Sequence, residues 1–120
     1  MVVAVAAVLA GVALPTLKGH ELRSARMDAV QALTKLQGQQ ESYRAHHGAY
    51  TTNLSALGSP TASSLQGRYA LSVNLNGGDA YRAVATAQGR QAADQTCSAI
   101  TLDVSLGFAT HGPSPACWGR

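Results

Sequence analysis

The sequence predicts an α+β fold: one long N-terminal helix packed on a small antiparallel sheet of three to four strands, with a C-terminal disulfide-bounded loop. Three observations predict it. Residues 1–47 hold a single proline and keep a helical spacing of apolar residues. After residue 68 the apolar period changes to two. The only cysteines, Cys97 and Cys117, stand near the C-terminus. A length of 120 residues fits one domain. With 46% hydrophobic and 12% charged residues, the chain is too apolar for a disordered segment and too poor in charge for a nucleic-acid-binding arm or an acidic tail. Its net charge of +3 permits an anionic partner without requiring one. Six acidic residues and four histidines are thin material for acid/base or metal chemistry, so composition disfavours an enzyme.

Residues 1–17 carry no charge; the first is Lys18. Such a run is near the lower limit for a membrane-crossing helix, which needs about 20 residues. Three readings stand: a helix buried in a membrane or filament core, the apolar core of a signal peptide, and a buried core helix. Against the signal peptide, no basic stretch precedes the run and no A-x-A-like site follows it. Against the core helix, a segment apolar all round needs apolar neighbours on every side, more than a domain this small supplies. Gly11 and Pro15 weaken this half. They read either as a helix hinge or as the glycine and proline that membrane helices tolerate.

From Lys18 to His47 the helix continues as an amphipathic one. Leu22, Ala25, Ala29, Leu33, Leu36 and Tyr43 mark one face, and Arg23, Arg26, Asp28, Lys35, Glu41 and Arg44 are expected mostly off it. Leu22, Leu33, Leu36 and Tyr43 are the residues expected to pack on the sheet. A continuous helix over these segments would be ~70 Å long at 1.5 Å per residue, so its uncharged half must project. The expected organisation is thus 1–17 as membrane or filament-core half-helix and 18–120 as a globular head.

Gly48 is expected to end the helix. Residues 48–68, rich in glycine, serine and threonine, read as a connecting loop, with Asn53 capping a short turn that Gly58 stops. An antiparallel sheet is expected over 69–106. Tyr69, Leu71, Val73 and Leu75 alternate with polar or small residues, as do Tyr81, Ala83, Ala85 and Ala87. Asn76 to Asp79 supply the hairpin turn between them. A third run, Ser98 to Leu106, sets Ile100, Leu102 and Val104 on one side.

Neither cysteine belongs to a C-x-x-C pair and no histidines stand at helical spacing beside them, so zinc is disfavoured. His46 and His47 read as solvated residues at a helix end, and His20 and His111 have no evident partners. Nothing marks a base for a catalytic cysteine. The leading reading is a Cys97–Cys117 disulfide in an exported protein, bounding the region 97–117 and pinning Trp118 to the last strand.

Three stretches carry a family resemblance. VVAVAAVLAGVALP resembles the N-terminal helix of type IV pilins, including Gly11 and Pro15. ESYRAHHGAYTTNLSALG resembles that family's helix end and loop entry, through Tyr43, Gly48, Tyr50, Thr51 and Leu57. YRAVATAQGRQ, then DQTCSAITLDVSLG and a terminal Cys-Trp, resembles the pattern of the PilE-type minor pilins. The resemblance spans the whole chain. It also sets the expectation that the sequence begins about seven residues inside the mature helix. The family's basic leader and its Phe-Thr-Leu-Ile-Glu-type stretch, with the assembly glutamate, do not occur in it.

The resemblance implies a pilin fold and a structural, non-enzymatic role as a minor subunit of a type IV pilus, needed for assembly, twitching, adhesion or DNA uptake. It implies other pilins and the inner-membrane assembly machinery as partners, and no cofactor or small-molecule substrate. The implied location is the bacterial inner membrane before assembly and the extracellular pilus after it, with the head in the periplasm or outside the cell. A type II secretion pseudopilin is the first alternative; it shares the helix and general fold but tends to lack the Cys-Trp ending. A DNA-binding minor pilin that acts as an uptake receptor is the second, with Arg68, Arg82, Arg90 and Arg120 as a candidate stripe on the head. From residue 48 onward those four arginines face three aspartates, so the residues favour a solvated surface over a DNA stripe.

Overall fold

A computed structural model describes the backbone of residues 2–120 and the side chains of residues 19–120. The helix α1 spans Val2–His47. Four strands follow: β1 Tyr69–Leu75, β2 Ala80–Ala87, β3 Ala99–Ser105 and β4 Phe108–Gly112. Short 3₁₀ turns occupy Gly89–Ala93 and Pro115–Trp118. The expected hinge at Gly11 and Pro15 and the apolar packing of residues 1–17 lie outside the described side chains. Among the described residues no helix is long and apolar enough to cross a membrane.

The strands form one antiparallel meander in the order β1-β2-β3-β4. Register follows the turns: Leu75 pairs with Tyr81, Tyr81 with Val104, and Ser105 with Phe108. Every second residue then faces α1. Tyr69, Leu71 and Val73 from β1, Tyr81, Ala83 and Ala85 from β2, and Ile100, Leu102 and Val104 from β3 are all buried. Ala25, Ala29, Leu33 and Leu36 supply the helix side of this core; Leu33 is wholly buried. Tyr43 is half-buried against the core and stacks on His47 at 4.0 Å. Leu22 is also half-buried, and its carbonyl accepts a hydrogen bond from Gln91 Nε2. The small residues of β2 let the helix approach the sheet closely.

Three expectations need correction. The sheet has four strands, within the expected three to four, but it runs past the expected bound at Leu106 into β4. That strand escapes a search for apolar alternation because its one large apolar residue, Phe108, points to solvent and is 82% exposed, while Ala109 and His111 point inward. Asp28 is not off the packed face but 4% exposed. Its neighbour Arg26 is largely covered as well, its guanidinium bonded to Asp94 at 2.7 Å and 2.9 Å.

Gly48 ends the helix as expected, with φ +82° and its N–H on the Arg44 carbonyl, the left-handed stop that a side chain resists. Loop 48–68 is tied down along its length. Gln40, fully buried, donates to the Thr51 carbonyl and accepts from the Thr51 N–H. Asn53 Oδ1 accepts from the amides of Ser55 and Ala56, the expected cap. Ser63 then bridges Ala70 and lines the outer edge of β1.

Candidate functional site

Charge is distributed unevenly at the end of the sheet where β1 starts and β2 and β4 finish. Three backbone or hydroxyl donors, Ser64 Oγ, Gln66 N and Arg68 N, converge on the Asp28 carboxylate. This fixes segment 64–68 against α1. Gln88 joins the same corner: its N–H donates to the Arg68 carbonyl and its Nε2 to the Gly67 carbonyl. Arg68 and Arg90 are therefore exposed on neighbouring loops with a shared scaffold, and Arg68 Nε donates to Gln66 Oε1. A groove of about 470 Å³ runs beside Arg68 and Gln66, walled on the helix side by His20, Glu21, Met27 and Gln31.

The C-terminal tail closes the β4 side of this end. Cys97 and Cys117 are bonded, with sulfurs 2.09 Å and Cα atoms 5.6 Å apart, as expected. The Trp118 ring meets His111 edge-on at 4.4 Å, and its Nε1 donates to the Gly112 carbonyl. Burial, with Arg120 nearby, pushes the His111 pKa below its ordinary value of 6.5.

The four arginines picked from the sequence do not make one stripe. Arg68 and Arg90 lie together. Arg120 is exposed at the tail, across the sheet from β1. Arg82 faces outward near the opposite end of β2 and is bound to Asp103 by two hydrogen bonds, at 2.7 Å and 3.0 Å. That pair raises the Arg82 pKa, first through the hydrogen bond and then through the Asp103 charge.

Carboxylates are mostly engaged. Asp94 holds Arg26, Asp79 holds Arg44 at 3.2 Å, and Asp103 holds Arg82. Asp28 takes the loop donors above, and Glu41 accepts from the Tyr50 hydroxyl at 2.6 Å. Only Glu21 among the six is without such a bond in the described residues. Arg23, Lys35, Arg68, Arg90 and Arg120 are exposed and make no ion pair there.

Sequence reasoning missed the buried polar anchors Asp28, Gln40, Gln91 and Asp94. Gln40 left a signal: the face spacing jumps by seven from Leu36 to Tyr43, and Gln40 fills that gap. Asp28 lies three residues after Ala25 and beside Ala29, at the edge of the face. Gln91 and Asp94 left none, since their partners Tyr69 and Arg26 are remote in sequence.

Among the described residues no cluster of histidine, cysteine, aspartate or glutamate is placed to hold a metal ion. No curated protein matches the chain. The model of one family, described as "Type IV minor pilin ComP, DNA uptake sequence receptor", matches residues 15–101, which covers the amphipathic helix, the loop and β1 through the first half of β3. With a long helix on a four-stranded antiparallel sheet and a C-terminal disulfide, the chain belongs to this family of type IV minor pilins and is a subunit of the type IV pilus.

Proposed function

We propose that this subunit acts as a DNA receptor of the pilus, binding duplex DNA for uptake on the basic end of its head. The observation that carries the reading is the imbalance of free charge. Among the described residues five of six carboxylates are committed to protein partners, while five cations are exposed and make no ion pair. A polyanion therefore meets unpaired Arg and Lys, and counterion release drives its binding. Arg68 and Arg90, scaffolded by Gln88 and Asp28, are the central contacts. Arg82, already bound to Asp103, is peripheral. The family's description as a DNA uptake sequence receptor supports the same reading.

In this proposal residues 1–17 anchor the chain in the inner membrane before assembly and in the filament core afterwards. Residues 18–120 form the head presented outside, and the partners are other pilins and their assembly machinery. The test is anisotropy titration of labelled duplex DNA with the full chain in detergent at several salt concentrations. Arg68→Ala and Arg90→Ala should each weaken binding and lower the salt slope by about 1, while Arg82→Ala changes it less. Salt-independent or absent binding by the parent chain refutes the receptor role. A chromosomal deletion separates the alternatives: loss of DNA uptake with pili intact supports the receptor, loss of pili an assembly role, and loss of secretion a pseudopilin.

A further inference from the structure

The two edges of the sheet are treated differently. On the β1 edge the Leu71 N–H donates to the Ala62 carbonyl, the Ser64 N–H to the Tyr69 carbonyl, and Ser63 bridges Ala70. The first half of that edge, at residues 69–71, is thus covered by the chain's own loop. On the β4 edge the tail reaches only the Gly112 carbonyl, through Trp118, and among the described residues no backbone hydrogen bond covers Ala109 or His111. Phe108–Gly112 reads Phe-Ala-Thr-His-Gly, with no charge, proline or bulge of the kind that protects exposed edges.

The hairpin turn decides which groups that edge offers. Leu106 and Gly107 form a two-residue turn, both at positive φ, and Ser105 pairs with Phe108. Antiparallel pairs alternate between hydrogen-bonded and non-bonded. Phe108 and Thr110 thus turn their backbone groups to β3, and Ala109 and His111 turn theirs outward. Residues 109 and 111 are two apart, and an antiparallel copy of the same strand centred on Thr110 sets Ala109 opposite His111 twice. All outward N–H and C=O groups of both residues are then satisfied, by four hydrogen bonds. In that register Phe108 lies opposite Gly112 of the second copy. Gly112 has no side chain on the solvent face, and a Cβ there would sit 2.7 Å from Thr101 Oγ1. The exposed ring of Phe108 covers the bare glycine, a known device for stabilising cross-strand pairs.

We propose that the β4 edge is a self-pairing interface through which two copies of this chain join their sheets about a two-fold axis at Thr110. α1 runs along the strands, with Asp28 near Arg68 at one end and Arg44 on Asp79 at the other. The two-fold therefore sets the two helices in opposite directions. A filament built by repeating one head-to-tail contact keeps its subunits pointing the same way, so the contact joins heads of two opposed filaments. That last step rests on the pilus-subunit reading; the pairing itself does not.

Thr110 is exposed and would lie opposite itself in a non-hydrogen-bonded pair, where Cα atoms are about 4.5 Å apart, within disulfide range. The experiment oxidises full-length chain carrying Thr110→Cys in detergent and resolves covalent dimer by non-reducing electrophoresis and intact mass. Ser72→Cys, exposed on the same face but at the β1 edge, is the control. Thr110→Cys should dimerise with the Cys97–Cys117 bond intact, and Ser72→Cys should not. By sedimentation, Thr110→Lys should raise the dimer dissociation constant about tenfold or more, through like charges across the axis. A Thr110→Cys chain that stays monomeric, or cross-links no better than Ser72→Cys, overturns the proposal. DNA binding by the same monomer would leave the receptor reading standing.

Discussion

Replacing Asp28 by alanine tests whether the loop that presents Arg68 is held by one buried carboxylate. The substitution removes the acceptor of three hydrogen bonds. Each bond to a charged acceptor contributes ~1.5–3 kcal/mol. The three do not lose equally. Gln66 and Arg68 are exposed, so their amides recover water once the loop relaxes. Ser64 is 4% exposed, and its hydroxyl also accepts from the buried Tyr69 N–H at 3.0 Å. That hydroxyl loses its acceptor outright. Two terms oppose the loss: a buried charge no longer needs desolvating, and alanine favours the helix by ~0.5 kcal/mol. The net expectation is a destabilisation of ~2–4 kcal/mol, with Asp28→Asn, which keeps one acceptor oxygen, at ~1–2 kcal/mol. Urea unfolding of residues 18–120 by circular dichroism would measure it, with an unchanged denaturant slope as the sign that both states keep their compactness. Hydrogen exchange should show the amides of Gln66 and Arg68 losing protection. A change under ~0.5 kcal/mol, with those amides still protected, refutes the reasoning.

Three further outcomes are expected. Protein purified from an oxidising compartment should show no free thiol by labelling and intact mass; two reactive cysteines in folded protein contradict the Cys97–Cys117 bond. Residues 18–120 should fold without the apolar segment, and Leu33→Ala should cost that fragment ~2–5 kcal/mol by transfer and cavity terms; a shift below ~0.5 kcal/mol means the face is not the packed one. His111 has a lowered folded pKa, so its stabilising effect is fully present above the ordinary value of 6.5 and is lost as pH falls through that value toward the folded one. His111→Gln should flatten the decline in urea midpoint over that window, and an unchanged profile removes His111 as its source.

The fold was legible where apolar period alone decides structure. Leu33 and Leu36 on α1, Tyr69 and Leu71 on β1, and Ile100 and Leu102 on β3 repeat at helical or strand spacing, and all are buried. β4 was not legible because its pattern is inverted: Phe108 faces out, and His111 faces in only because Trp118 and the disulfide-bound tail cover it. The candidate stripe failed for a related reason. Sequence gives charge sign but not pairing, and nothing local says that Arg82 meets Asp103, which follows from the β2–β3 register.

The net charge of +3 understates what a polyanion encounters. A formal sum weighs Asp28, deep under loop 64–68, equally with Arg90 on an exposed turn. Yet Asp28 is surrounded by donors that screen it, and its field reaches solvent weakly, whereas Arg90 projects its charge into water. The same bonds that consume the carboxylates also shape the basic end. Asp28 sets the position of Arg68, Gln88 ties Gly67 and Arg68 to the turn that bears Arg90, and Asp94 locks that turn onto α1 through Arg26. Structural anchoring and electropositive display are thus one arrangement. A chain with so few charges can display bases at this end because two of its acids, Asp28 and Asp94, hold the loops that carry Arg68 and Arg90.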